Sequence, residues 1–294
     1  MSTPNAPIMF HQFVTERSAN RPGAFTPSDL ADLIDRERPI NADEWCAAVL
    51  AGTTPDRTML TFDDGLLCQY RHALPVLEHF KLQALFFIPT GPVFGEGGEW
   101  ETHRWIREEM FESWEAFWHQ FNGRFDIDRM DPPPGDYLRN HAFYTPEERM
   151  YRWVRQQFPE VHADVMKTFL LERSELRLPR FFMNASEVYV LFPRHGQIVG
   201  SHGNAHIDPR DYDPPTRTRT FAADWALSFY RLYALTHGTC RPIVSYPYGA
   251  FFTGLEHLDE VIRLAFMSCP GPTDNLMRYP RRDAGVLLRE MRSE

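Results

Sequence analysis

Short apolar runs recur along the chain: "IMFHQF" (8–13), "TMLTF" (58–62), "QALFFI" (83–88), "QIVGS" (197–201), "PIVSY" (242–246) and "AFMS" (265–268). Each is bounded by Gly, Pro or Asp, and in most of them polar residues do not alternate strictly with apolar ones. This is the pattern of parallel strands covered on both faces. Helix patterns lie between them. Thr26-Pro27 is an N-cap followed by proline at the first helical position. "NADEWCAAVLAG" begins at Asn41 and stops at Gly52, a residue type that ends helices. Thr145-Pro146-Glu147-Glu148 has capping-box spacing, and Asn184 to Glu187 has a similar cap-plus-acid pattern. Phe221, Trp225, Phe229 and Tyr233 recur every fourth residue ahead of Gly238, predicting a helix with an aromatic, core-facing stripe. Strands that alternate with helices predict an α/β fold built on a parallel sheet or barrel.

One stretch breaks this rhythm. Residues 95–180 are rich in Trp and Phe ("EWETHRWIREEMFESWEAFWHQF") and carry the turn-forming "DPPPGD" at 131–136. We read them as a largely helical insertion within a single domain spanning 1–294. Its aromatics either fill its own core or line a sugar-binding wall, and the needs of amphipathic helices favour the core.

Composition narrows the function classes. The 294 residues are 43% hydrophobic and 24% charged, enough to bury a large core. A net charge of -9 argues against a nucleic-acid partner, which selects clustered Lys and Arg. No run approaches the roughly 20 apolar residues of a membrane span. The N-terminus lacks a basic segment followed by an apolar one, so no secretory signal is visible. Cys46, Cys68, Cys240 and Cys269 are dispersed and form no C-x-x-C pair, which suits reduced thiols and a cytoplasmic location. Oligomeric state leaves no mark in the sequence.

The chemistry gathers where strands end. "LTFDDGL" (60–66) leaves Asp63 and Asp64 side by side after a strand. A turn explains D-D-G on its own; a bound cation would also relieve the crowded charges. "QIVGS" runs directly into "HGNAH", placing His202 and His206 four residues apart, and "PIVSY" runs into "PYG" (247–249). Parallel α/β folds place ligands at the carboxyl ends of strands, so these segments should converge. Two imidazoles and one carboxylate make a three-ligand metal site with positions left open, the catalytic rather than the structural arrangement.

"LTFDDG" followed by "HALPVLEHFKLQALFFIPTG", "GQIVGSHGNAH" and "SYPYG" resembles the polysaccharide deacetylase family (NodB homology, carbohydrate esterase 4), and "PIMFHQF" is similar to its first strand. The resemblance covers 7–93 and 181–283 and leaves the insertion unexplained. It implies a distorted (β/α) barrel and metal-dependent removal of an N-acyl group from an amino sugar. It further implies that Asp64, His202 and His206 bind a divalent metal, Zn²⁺ foremost, and that Asp63 is the general base. A backbone N–H of the "PYG" turn, that of Tyr248, would support the oxyanion, and a close backbone approach would account for Gly249.

This chain departs from the family in three places. Gly203 stands where a hydroxyl residue usually braces the histidine loop. The arginine that often braces the catalytic aspartate is missing from "SYPYG"; Arg281 or Arg282 could approach Asp63 from another strand, or "PRRDAG" could be a solvated basic cluster. No late "LHD"-like segment supplies a general-acid histidine, and His11, on the first strand, is the best substitute, unless it is a hydrogen-bonded core histidine. The leading expectation is an amidohydrolase acting on an N-acetyl or N-formyl amino sugar, a cytoplasmic intermediate of surface-polysaccharide assembly. The contrasting one is an inactive homologue that binds carbohydrate or a protein partner.

Overall fold

A computed structural model describes residues 5–16, 24–125, 130–135, 137, 145–173, 175–209, 212, 214–249, 262–268 and 276–293. Cys269 and Asp136 of the "DPPPGD" turn lie outside the described residues. The chain divides into two compact units, one formed by 1–98 and 180–294 and the other by 99–179.

Among the described residues the first unit holds seven parallel strands: β1 (Ile8–Phe10), β2 (Leu60–Phe62), β3 (Leu85–Ile88), β4 (Ile198–Ser201), β5 (Ile243–Ser245), β6 (Leu264–Phe266) and β7 (Arg282–Asp283). Their order is β6-β5-β4-β3-β2-β1-β7. Tyr279 pairs with Phe266 of β6 while Arg282 pairs with Ile8 of β1, so the short segment 279–283 reaches both margins of the sheet. Together with the surrounding helices this makes a distorted α/β barrel. All six expected strands are present, though shorter than the apolar runs, and β1 ends before His11. β7 escaped the sequence reading because a charged two-residue strand has no apolar pattern.

Strand alternation sorts the side chains onto two faces. Phe10, Phe62 and Phe86 share one register across β1, β2 and β3 and stack at 5.1 and 4.7 Å, beneath the helices Pro27–Glu37 and Leu74–Phe80. Leu85, Phe87, Ile198, Ile243, Leu264, Phe266 and Tyr279 gather on the other face with Trp45. Thr61 and Asp63, Gly200 and His202, Ser245, and Arg281 continue that second face toward the strand ends. Gly200 is required there: a Cβ would sit 2.7 Å from Ile243 O and 3.0 Å from the Phe87 ring.

The helix ends follow their caps. Thr26, Thr145 and Asn184 each form a complete capping box with the acid three residues on. Asn41 makes no side-chain cap; its Oδ1 accepts from Gln83 N instead, and Gln83 Oε1 accepts from Asp43 N in its place. The aromatic stripe of the Pro214–Leu235 helix is only half buried: Phe221 and Trp225 are in the core, whereas Tyr233 is 66% exposed. Steps of four residues drift about 40° per step around a 3.6-residue helix, so the fourth member faces away from the first by about 120°.

The second unit contains the helices Glu99–Glu109, Trp114–Phe125, Pro146–Gln157 and Pro159–Glu172. Phe117, Phe121 and Phe169 are fully buried, and Tyr151 and His162 pack on Phe121 at 5.0 and 5.7 Å. Its aromatics are therefore largely core. Burial pushes His103 down to about 4 and His162 down to about 2; the charges of Arg155 and Arg107 add to both, after that of His103 in the case of His162.

Candidate metal centre

Asp63 ends the inward face of β2 and is almost wholly buried. Burial alone would raise its carboxyl, but Arg281 reverses that and holds it below the usual range, with smaller help from His202 and His11. The guanidinium donates from Nη1 to Asp63 Oδ1 and from Nη2 to Oδ2, both at 2.6 Å. Such a bidentate fork is the strongest carboxylate contact a side chain can make. Ser245 Oγ donates to Oδ2 at 3.0 Å and accepts from Arg281 Nη2 at 2.6 Å. Arg281 also reaches Thr61 Oγ1 and Met267 O, each at 3.2 Å, so its side chain is locked. Arg282, one residue on, points away and pairs with Glu37 at 2.6 Å. Of the alternatives open in the sequence, Arg281 is therefore the residue that braces Asp63, and it arrives from the segment that closes the sheet.

Asp64 lies in the turn beyond the strand with φ +73, a left-handed conformation that Asp tolerates better than most residues. The turn aims its carboxylate at the histidines. His202 Nε2 lies 3.3 Å and His206 Nε2 3.2 Å from the same Asp64 Oδ1, which makes no aligned hydrogen bond. All three ligand atoms fall within 4.8 Å of one another. His202 Nδ1 lies 2.8 Å from Ser245 O. A carbonyl accepts only, so Nδ1 carries the proton and Nε2 keeps its lone pair for a cation. Three converging lone-pair donors of this kind fit a divalent metal. Burial works against the Asp64 charge, yet the two imidazoles hold its carboxyl well below the usual range.

The other expected residues lie nearby. Tyr248 sits in the "PYG" turn at φ 56, and its ring packs on His206 at 4.7 Å. A non-glycine residue in the left-handed region costs energy and is found where a site demands it. Gly249 has φ +62, and a Cβ there would lie 2.7 Å from Ser268 Cβ and 2.8 Å from Ser268 N. His11 follows β1, is half-buried, and acts electrostatically on Asp63, Asp64 and His206. Gln69 went unremarked in the sequence. It opens a π-helical turn, and its Nε2 donates to Asp63 O (2.5 Å) and His11 O (2.9 Å), tying the two strand ends together. Single π-turns collect at functional sites, but the sequence carries no sign of one.

At Gly203 the reason for the missing hydroxyl is steric. The residue has φ +77, and a Cβ would lie 2.6 Å from Asp224 Oδ2. Asp224 itself accepts from Asn204 N and Ala205 N, both at 2.8 Å. Burial raises its carboxyl, while those two amides pull the other way.

No protein-family model matches the chain, and a search of curated proteins finds no match either. Solved structures do resemble it. IcaB from Ammonifex degensii aligns over 95% of this chain and 91% of its own, at 19% identity and TM-score 0.54. The Streptococcus pyogenes deacetylase PplD, solved in complex with acetate, aligns over 99% of both chains at 14% identity and TM-score 0.54. BC0361, a polysaccharide deacetylase from Bacillus cereus, aligns over 95% of this chain and 64% of its own, at 13% identity and TM-score 0.52. At these identities the likeness is one of fold, and the chain has the fold of the polysaccharide deacetylases.

Proposed function

We propose that the protein is a metal-dependent amidohydrolase that removes an N-acyl group, acetyl or formyl, from an amino sugar. The substrate class is an intermediate of surface-polysaccharide assembly, handled in the cytoplasm. One observation carries the reading: an ionised, arginine-braced Asp63 stands beside a cradle of three converging donors, Asp64, His202 and His206. A turn or a binding surface has no use for a buried carboxylate held ionised at that spot. A binding-only homologue drew its support from two absences, the bracing arginine and the general-acid histidine; Arg281 removes the first ground, and the second rests on the role given to His11.

Asp64 Oδ1 and the Nε2 atoms of His202 and His206 would hold the cation. A divalent ion such as Zn²⁺ there supplies a Lewis acid that polarises the amide carbonyl and lowers the pKa of water toward about 7. Asp63, kept ionised by Arg281 and Ser245, takes the proton from the attacking water. Its carboxylate cannot swing away, because three further contacts, to Met267 O, Thr61 Oγ1 and Ser245 Oγ, fix the guanidinium that grips it. The Tyr248 N–H donates to the oxygen on which negative charge develops, and the left-handed turn sets its direction. His11 delivers the proton that the departing amine needs, with Gln69 holding its backbone against that of Asp63.

Metal content and turnover test this together. The wild type should copurify with, or take up, about one divalent ion, and His206→Ala should not. Asp63→Asn should keep the metal and lose hydrolysis on a panel of N-acetyl and N-formyl amino sugars. His11→Gln should keep the metal and lower turnover by about 10²-fold or more, as for a lost general acid. A wild type that binds no divalent metal under replete conditions sinks the proposal, and undiminished turnover in Asp63→Asn removes the base.

A further inference from the structure

We infer that Asp224 is a positioning residue for the metal centre: from the Pro214–Leu235 helix it holds the His202–His206 loop in its ligating shape. The inference rests on the metal reading above and assigns a task to a helix that carries none of the three candidate ligands.

The loop from His202 to His206 must present two imidazoles to one point, and it does so with unusual backbone. Gly203 has φ +77 and His206 φ +53. Turns of that kind leave backbone N–H groups without helix or sheet partners, which side chains can then satisfy. Asp224 satisfies two in succession, with Oδ2 accepting from Asn204 N and Oδ1 from Ala205 N at 2.8 Å each. A carboxylate is the side chain suited to this task, since both of its oxygens only accept. The contact also dictates Gly203, whose position leaves no room for a Cβ beside Oδ2.

The same helix makes two more bonds on the same face. Ser228, four residues on, hydrogen-bonds Ser201 Oγ at 2.8 Å, and Ser201 Oγ accepts from Gly203 N at 3.1 Å. Arg231, a further three residues on, donates to Asn204 Oδ1 at 2.8 Å and pairs with Glu96. Positions 224, 228 and 231 are spaced i, i+4, i+7, the period of one helix stripe. On the loop's opposite side, Thr90 N and Gly91 N donate to Gly203 O (3.1 Å) and Asn204 O (2.8 Å). The loop is thus clamped between two elements, with Asp224 gripping its midpoint. In this chain the carboxylate does from the neighbouring helix what a hydroxyl side chain within the loop would otherwise do.

The test uses Zn²⁺ alone as probe, with affinity measured on metal-stripped protein by competition with a chromogenic chelator. Hydrogen exchange of the peptide covering 203–206 is followed in parallel. Asp224→Asn keeps the shape but turns an amide N–H toward one backbone donor. It should weaken Zn²⁺ binding by about 10- to 100-fold, the range for outer partners of metal ligands, and speed exchange across 203–206. Thr236→Ala is the control: just past the far end of the same helix it removes two bonds, from Oγ1 to Leu232 O and from Cys240 N to Oγ1, without touching the loop. It should lower stability, but Zn²⁺ affinity should be unchanged. Wild-type affinity in Asp224→Asn, or an equal loss of affinity in Thr236→Ala, overturns the positioning role while leaving the metal reading intact. A wild type that binds no Zn²⁺ overturns both.

Discussion

Replacing Arg281 by methionine isolates the most consequential contact in the site. Methionine keeps an apolar stem as far as the position of Nε, so the perturbation is the loss of the charge and the fork together with the space that the three outer guanidinium atoms filled. Among the described residues Asp63 would keep only the Ser245 Oγ–H as a side-chain donor, at 3.0 Å, in a place where it is 1% exposed. Breaking a buried ion pair by removing one partner costs about 3–5 kcal/mol, because the remaining charge is uncompensated. The protein can escape part of that cost by protonating Asp63, so the loss must depend on pH. In the wild type the Asp63 carboxyl lies below its ordinary value of 3.8; this contributes stability above that pH and is lost as pH falls through the folded value. In Arg281→Met burial acts unopposed by the guanidinium and drives the carboxyl upward. Stability then declines as pH rises from about 4 toward the new value. The gap between the two proteins should widen with rising pH, by up to about 1.4 kcal/mol per unit. Urea unfolding at pH 4.5, 5.5 and 7, with chelator present so that no bound cation contributes, measures it. The acid limb of hydrolysis should also move to higher pH. Asp63→Asn in the same background should recover part of the loss, since it removes the stranded charge. A gap that stays flat with pH, or a loss undiminished by Asp63→Asn, would refute the argument.

Two further outcomes follow from packing. His103 and His162 are kept neutral in the folded 99–179 unit at about 4 and about 2, well under the ordinary 6.5. Stability should be constant above pH 6.5 and fall below it by about 1.4 kcal/mol per pH unit for each histidine, until each folded value is reached. Trp100, Trp105, Trp114, Trp118 and Trp153 report this unit by fluorescence; His162→Phe should flatten the slope, and a melt unchanged from pH 7 to 5 would contradict it. Gly200→Ala places a methyl 2.7 Å from Ile243 O and against Phe87, so it should cost about 1–3 kcal/mol as an overpacked core. A thermal melt within a degree of wild type would show that β4 can shift to admit it.

What the sequence determined by itself was local and periodic. Six strands announced themselves because a strand covered on both faces has nowhere to put polar residues, and Phe10, Phe62 and Phe86 duly stack on one face. The helix starts at Thr26, Thr145 and Asn184 were legible because a cap acts within three residues of itself. Asp63, Asp64, His202, His206 and "PYG" could be placed together because parallel strands end on one side. Tertiary structure decided whatever depends on partners distant in the chain. That Arg281 and not Arg282 grips Asp63 turns on which way each points at the start of β7, Arg281 just before it and Arg282 its first residue, and a two-residue strand is too short to show a period. Gln69 lies six residues from Asp63, yet its task is set by the end of β1. Asp224 meets Gly203 only because the Pro214–Leu235 helix packs along β4; the aromatic stripe of that helix was plain in the sequence, but the polar stripe that grips the histidine loop gained its meaning only from the loop it faces.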